Sequence, residues 1–151
     1  MLDSDLLSPA RILVNVKINS KKRVLELISS TLAMKNNALN AGEIFEGLCA
    51  REQLGSTALG NGVAIPHCRI ASTTDVEALF LHLASPLPFD ADDGEPVDLM
   101  FALVFPENRT TDQNGLMTKI AAHFSEPELL SDIRAATDAN AIWHLLATSH
   151  T

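Results

Sequence analysis

Two strand-length segments of this chain are apolar at almost every position, and they limit the folds open to it. Residues 76–83 read Val-Glu-Ala-Leu-Phe-Leu-His-Leu, and residues 97–105 form a second mostly apolar run. A strand that is apolar on both faces must be covered on both faces, so it lies at the centre of a sheet between helices. The pattern predicts an α/β fold, a three-layer sandwich whose central mixed β-sheet is flanked by helices on both faces.

The first half of the chain carries recognisable signals for a strand and two helices. Alternating apolar residues at 12, 14 and 16 indicate a short strand. Ser20 is placed to cap a helix with an apolar stripe, and Asn40 with Glu43 resembles a capping box. The helix that begins there is expected to end near Gln53, before Gly55.

The last third is predicted to be helical. Apolar residues between 116 and 124 recur at helical spacing, and Ser125 with Pro127 marks a new helix start. Asp138 is placed to cap a final helix. No repeat or linker interrupts the chain, so a single domain over residues 1–151 is expected.

Composition excludes several classes of partner. The 151 residues carry a net charge of −8, which argues against nucleic acid and anionic membranes, since both require basic patches. No apolar run has the length of a membrane span, and the N-terminus lacks the layout of a secretory signal. Two cysteines, Cys49 and Cys68, have no metal-ligand spacing. We expect a cytoplasmic protein with reduced thiols and no membrane insertion.

The most distinctive short segment is Gly-Asn-Gly-Val-Ala-Ile-Pro-His at residues 60–67. Gly60 and Gly62 can adopt backbone angles closed to other residues. Pro66 fixes its own φ and favours an extended Ile65. The segment is therefore expected to present His67 on a stiff stem, as suits a nucleophile.

Other chemistries lack their signatures. The chain has neither the phosphate-binding loop of nucleotide hydrolases nor a dinucleotide-binding glycine motif opening a helix. The five histidines show no metal-ligand spacing, and no nucleophile elbow of a serine hydrolase is present. We therefore expect neither a metal nor a cofactor.

Histidine as a covalent nucleophile for phosphorus remains. A neutral imidazole attacks phosphorus without a strong base, and the added charge must then be held by amides or a guanidinium. Arg51, Ser56 and Thr57 lie just upstream of His67, and the amides of Gly60 and Gly62 extend the candidate phosphoryl-binding loop. The same residues also admit a purely structural interpretation, with His67 packed, Arg51 at a solvated helix end and the hydroxyls in turns.

The combination of these segments resembles a known family. Arg51-Glu52, Gly55-Ser56-Thr57 and residues 60–67, followed by a second block from Pro88 to Pro106, are similar to the fructose/mannitol-type enzyme IIA of the bacterial phosphotransferase system. The likeness extends from about residue 5 to the C-terminus and is strongest to the nitrogen-regulatory branch.

The resemblance implies that His67 accepts a phosphoryl group from a histidine-containing phosphocarrier protein, with Arg51 stabilising it. It implies a phosphotransferase component with a phosphohistidine intermediate, regulatory rather than metabolic. Potassium transporters and sensor kinases are the targets implied for the nitrogen-regulatory branch. Two alternatives stay open: a sugar-specific component that passes phosphate to an enzyme IIB, and a regulatory scaffold that is never phosphorylated.

One position departs from the family pattern. The family commonly has a second histidine near the start of the helix after Pro106, where this chain has Gln113. A glutamine amide can donate a hydrogen bond to a phosphoryl oxygen or orient His67, but it carries no charge. Slower transfer, or a differently stabilised phosphorylated form, is the expected consequence.

Overall fold

The computed structural model describes residues 6–107 and 113–148. After a short 3-10 helix at Pro9–Arg11, its elements are β1 (Ile12–Val16), α1 (Lys21–Lys35), α2 (Ala41–Gln53), β2 (Ala58–Gly60), β3 (Val63–Ala64), β4 (His67–Ile70), β5 (Glu77–Leu87), β6 (Val97–Pro106), α3 (Gln113–His123), α4 (Pro127–Ala135) and α5 (Ala139–Thr148). The two apolar segments are thus the two longest strands of the described chain, β5 and β6.

The strands form one mixed sheet in the order β1-β5-β6-β3-β2, with β4 also paired to β6. β5 and β6 are antiparallel, and β1 runs parallel to β5. β3 and β4 both pair in parallel with β6, one after the other along its length. This arrangement confirms that β5 and β6 occupy the centre.

Each face of the sheet supports its own hydrophobic core. Leu79 and Leu81 of β5 pack with α1 and α2 on one face. Ala78 and Phe80, the alternate residues of the same strand, pack with α3, α4 and α5 on the other. Because both faces are covered, almost every residue of β5 and β6 has to be apolar. The three-layer α/β sandwich predicted from the sequence is confirmed.

The helix starts agree with the sequence except for the role of Glu43. The side chains of Ser20 and Asn40 accept the amides three residues on, which confirms both caps. The carboxylate of Glu43 does not complete a capping box, because it accepts hydrogen bonds from Ala71 and Ser72 in the loop after β4. A distant loop thus competes successfully for that side chain.

Helix α4 begins at Pro127, which confirms the start predicted there, and its cap residue is Glu126. The side chain of Asp138 accepts the amide of Ala141 at 2.8 Å, as predicted for the last helix. No helix in the described ranges combines the length and the apolar character needed to cross a bilayer. The prediction of one domain over residues 1–151 reaches beyond the described residues and stays a prediction.

Candidate functional site

His67 is the first residue of β4, and the backbone around it is held by the central sheet. His67 lies opposite Leu103 in the parallel pairing of β4 with β6. The amide of Leu103 donates to the carbonyl of Pro66 at 2.9 Å. The imidazole itself is half-buried. Its stem is therefore rigid while its ring still reaches the surface.

The ring of His67 is fixed by a hydrogen bond to its own chain. Nδ1 lies 2.9 Å from the carbonyl oxygen of Ile65. A carbonyl oxygen only accepts, so Nδ1 must carry the proton. In the neutral ring the lone pair is then on Nε2. The geometry selects the tautomer in which Nε2 is the available nucleophile or acceptor.

The surroundings of the ring favour its neutral form. Burial is the largest influence and lowers the pKa of His67. The hydrogen bond to Ile65 opposes that effect, the positive charge of Arg51 lowers the pKa further, and the negative charge of Glu52 raises it. The net result is a pKa below 6.5, so the ring is largely neutral at pH 7. A neutral imidazole is the form that attacks an electrophile.

The predicted site residues Arg51, Ser56 and Thr57 belong to one tightly connected turn after α2. Nη1 of Arg51 donates to the carbonyl of Gly55 at 2.9 Å. The hydroxyl of Ser56 donates to the carbonyl of Phe89 at 2.6 Å, and Thr57 is buried. The charge of Arg51 is close enough to act on the pKa of His67. The structure thus places Arg51 within electrostatic reach of His67, while the hydroxyls of Ser56 and Thr57 are occupied in supporting the turn.

Glu52 belongs to this site, although the sequence assigned it no role. Its side chain is 6% exposed, and Oε1 lies 2.9 Å from Nζ of Lys21. It also accepts hydrogen bonds from the amide and the hydroxyl of Thr57. The signal for it in the sequence is a charge next to Arg51, but the partner on α1 is 31 residues away along the chain. Only the fold reveals that pairing.

Gly60 and Gly62 take part in a hairpin that the sequence reading missed. The turn between β2 and β3 has positive φ angles at both central residues, 58° at Asn61 and 81° at Gly62. Consecutive positive φ angles and an Asn-Gly pair are typical of a type I′ turn. Asn-Gly at positions 61–62 was the available signal.

The contacts of this hairpin turn are with charged side chains of both signs. A Cβ on Gly60 would meet Oδ2 of Asp93 at 3.1 Å. One on Gly62 would meet Nη2 of Arg134 at 2.5 Å and Oδ1 of Asp98 at 3.0 Å. The carboxylate of Asp93 also accepts the amide of Asn61 at 2.9 Å. Charges of both signs thus lie beside the turn, since Nη2 of Arg134 also donates to the carbonyl of Asn61 at 2.7 Å. The assignment of the two glycines as phosphoryl ligands stays a prediction.

Gln113 is the first residue of α3, and its Oε1 is buried with no hydrogen-bond partner among the described residues. A buried amide without a partner is uncommon in proteins. His123, at the other end of α3, is 1% exposed, and burial lowers its pKa. Its side chain lies in the core. Gln113 is thus the more available of the two.

The structure also bears on thiol chemistry and on metal binding. Burial raises the pKa of Cys68 to about 12, so its thiol stays protonated and unreactive at neutral pH. Within residues 6–107 and 113–148, no three histidine, cysteine or acidic side chains are grouped to hold a metal ion. The described part of the chain therefore offers a lone histidine with a neighbouring guanidinium as its candidate reactive centre.

Sequence comparison identifies related proteins over nearly the whole chain. Residues 5–149 match the family model described as "Phosphoenolpyruvate-dependent sugar phosphotransferase system, EIIA 2". The nitrogen regulatory protein of Pseudomonas aeruginosa is 45% identical over 141 residues, which cover 93% of this chain and 92% of that protein.

Solved structures share the fold. Nitrogen regulatory protein IIA-Ntr from Neisseria meningitidis is similar with a TM-score of 0.89 and 36% identity, covering 95% of this chain and 97% of that one. Enzyme IIA for mannitol from Escherichia coli, solved in complex with its phosphorylated enzyme IIB, has a TM-score of 0.78 at 16% identity, covering 95% and 98% of the two chains. At that identity the second likeness concerns the fold alone.

Proposed function

This chain belongs to the EIIA 2 family of the phosphoenolpyruvate-dependent sugar phosphotransferase system, and on that premise we propose that it is a nitrogen-regulatory phosphocarrier phosphorylated on Nε2 of His67. The donor is a histidine-containing phosphocarrier protein. The protein works as a signal whose phosphorylation state controls its targets, for which potassium transporters and sensor kinases are the candidates. The cytoplasm is the proposed location, since such donors act there.

The hydrogen bond from Nδ1 of His67 to the carbonyl of Ile65 is the observation that carries the proposal. It leaves the lone pair on Nε2, the nitrogen able to reach an incoming donor. In the transfer, a bond forms between Nε2 and phosphorus while the N–P bond of the donor breaks. The donor imidazole leaves with the electron pair of that bond, so atoms and charge balance.

The lowered pKa of His67 supports this chemistry because only the unprotonated Nε2 can attack. Arg51 then has two effects. It favours the neutral ring before transfer, and its guanidinium attracts the dianionic phosphoryl group afterwards. Gln113 is proposed to donate its amide N–H to a phosphoryl oxygen, in place of the second family histidine.

Phosphorylation of this protein adds charge to an already acidic surface. The phosphoryl group of a phosphohistidine carries about −1.5 to −2 charges by analogy with other phosphorylated side chains, partly offset by the positive ring, and is added to a chain whose net charge is −8. Partners with basic rims bind the phosphorylated form more strongly and acidic partners are repelled. The change gives the signal a direct electrostatic readout.

A phosphotransfer assay tests the proposal. The protein is incubated with phosphoenolpyruvate, enzyme I and the phosphocarrier, and its intact mass is recorded. We expect the gain of one acid-labile phosphoryl group, lost in His67→Ala. His144→Ala is the matched control, because His144 is exposed on α5 away from β4. It should be phosphorylated like the wild type.

Each alternative has its own outcome in that assay. No mass change beside a demonstrably charged phosphocarrier overturns the proposal and leaves the unphosphorylated scaffold. Onward transfer to an added enzyme IIB identifies a sugar-transport component instead. Phosphorylation without onward transfer supports the regulatory role.

A further inference from the structure

Glu52 lies at the end of α2 with every oxygen of its carboxylate occupied. Oε1 is 2.9 Å from Nζ of Lys21 and accepts the amide of Thr57 at 3.3 Å. Oε2 accepts the hydroxyl of Thr57. A nearly buried carboxylate holds its neighbours firmly, since hydrogen bonds to an ionised group are about twice as strong as neutral ones.

From Thr57, two hydrogen bonds lead directly to the reactive ring. The carbonyl of Thr57 accepts the amide of Ile65 at 3.0 Å. The carbonyl of Ile65 in turn accepts Nδ1–H of His67 at 2.9 Å. Glu52, Thr57, Ile65 and His67 therefore form one continuous series of contacts. The position of the Ile65 carbonyl, which selects the tautomer of His67, depends on where Thr57 is held.

We propose that Glu52 is a positioning residue that, through Thr57 and the Ile65 backbone, holds His67 in the tautomer with a free Nε2. The purpose of this arrangement rests on the proposed function, because a free Nε2 matters for phosphoryl acceptance. Glu52 does not touch the phosphoryl group. It acts on the ring only through the intervening backbone and through its charge.

Lys21 compensates the negative charge of the nearly buried Glu52 carboxylate. An ionised group enclosed without a partner destabilises a protein strongly, whereas a paired one is accommodated. Lys21 is the first residue of α1, and its Nζ lies 4.4 Å from the centre of the Phe89 ring and 3.5 Å from Asp90. The start of α1, the end of α2 and the loop after β5 therefore converge on the segment that precedes His67.

The arrangement also suits the phosphorylated state. When Nε2 is bonded to phosphorus, Nδ1 keeps its proton and the ring carries positive charge. The Ile65 carbonyl is already in place, and it then accepts a stronger, charge-assisted hydrogen bond from Nδ1–H. The same geometry thus serves the acceptor before and after transfer.

The chain supplies a matched control on the same helix. Glu43, in the first turn of α2, accepts the amide of Ala71 at 3.2 Å and the hydroxyl of Ser72. Like Glu52, it accepts one amide and one hydroxyl, but the loop it holds follows β4 and leads away from His67. Glu43→Gln therefore removes an equivalent charge and tether without loosening the segment before the ring.

The experiment compares Thr57→Val, Thr57→Ser, Glu52→Gln and Glu43→Gln. Nitrogen NMR of ¹⁵N-labelled protein reports the His67 tautomer at pH 8, and rapid quenching reports the rate of transfer from the charged phosphocarrier. Thr57→Val has the shape of the native residue without its hydroxyl, and urea unfolding verifies that each variant is folded.

We expect Thr57→Val and Glu52→Gln to show a mixture of the two ring tautomers and transfer slowed about tenfold or more, as small misplacements of reacting groups cause. Thr57→Ser keeps the hydroxyl and should show the tautomer and the transfer rate of the wild type. Glu43→Gln should also leave the tautomer and the rate unchanged. A single Nδ1–H tautomer in Thr57→Val and Glu52→Gln overturns the inference. So does an equal effect of Glu43→Gln.

The two proposals fail separately. The tautomer is measured without any phosphoryl donor, so it tests the positioning role alone. Absence of phosphorylation in the wild type would overturn the proposed function and leave the tautomer result standing. A phosphorylated wild type whose tautomer ignores Glu52 would overturn the positioning role only.

Discussion

Two nitrogens of the Arg134 side chain, on α4, donate hydrogen bonds to the carboxylate of Asp98 at the start of β6. Nη2 lies 2.8 Å from Oδ1 and Nε lies 3.0 Å from Oδ2. The same Nη2 donates to the carbonyl of Asn61 at 2.7 Å. One guanidinium therefore joins α4, the central strand and the hairpin turn between β2 and β3.

Replacing Arg134 by Lys should destabilise the protein by about 1–2 kcal/mol, since a lysine cannot reproduce a two-pronged, partly exposed pair. Urea unfolding measures the change. Arg134→Ala should cost at least as much. Equal stability of Arg134→Lys and the wild type would show that the two hydrogen bonds from Arg134 to Asp98 do not stabilise the protein.

Gly62→Ala should be more destabilising than Gly94→Ala, although both glycines have positive φ angles of 81° and 75°. A Cβ at Gly62 would lie 2.5 Å from Nη2 of Arg134, whereas one at Gly94 meets nothing within 4 Å. The backbone cost of about 1–2 kcal/mol is common to both. The extra loss at Gly62 isolates the clash, and similar unfolding midpoints for the two variants would refute it.

The rate of His67 phosphorylation should fall as the pH is lowered, with a midpoint below 6.5, because burial above all depresses the pKa of the ring. Arg51→Met should raise that pKa, since the guanidinium helps to lower it, and should slow transfer by removing charge stabilisation. An NMR titration of the ring and the pH–rate profile provide the two measurements. An unchanged pKa in Arg51→Met would count against the coupling.

The lowered pKa of His67 also makes the free energy of unfolding depend on pH. The unfolded chain binds a proton at His67 near pH 6.5, but the folded chain binds it only at lower pH. The contribution of this group to the free energy of unfolding therefore falls as the pH drops below about 6.5, and it is constant at higher pH. His67→Gln should flatten that part of the stability profile.

Gln113→Leu should leave the free energy of unfolding unchanged or raise it by about 1 kcal/mol, because it removes a buried oxygen that has no hydrogen-bond partner among the described residues. If the amide serves the phosphoryl group as proposed, transfer in this variant slows. Gln113→His should transfer faster than the wild type. Equal rates for all three proteins would remove Gln113 from the site.

The fold was readable because its signals are local. The apolar runs of β5 and β6 specify central strands by themselves, and the caps at Ser20, Asn40 and Asp138 act within one turn of their own residue. The capping-box prediction for Glu43 was wrong because its partners, Ala71 and Ser72, are 28 and 29 residues away. A contact between residues so far apart in the chain leaves no periodicity or spacing in the sequence that could predict it.

The site was readable only in part, for the same reason. A stiff stem with two glycines and a proline points to His67, and the turn after α2 brings Arg51 close to it. The carboxylate of Glu52 and its pairing with Lys21 carry no such signal. Nor could glycines as such show that residues 61–62 face Asp93, Asp98 and Arg134.

The sequence by itself determined the layers of this protein and the identity of its candidate nucleophile, because apolar periodicity and backbone stiffness are properties of neighbouring residues. The tertiary structure decided which nitrogen of His67 carries the proton and which groups shift the pKa of the ring. Those properties depend on a carbonyl, a guanidinium and a carboxylate whose positions are fixed only when α1, α2 and the central sheet pack together.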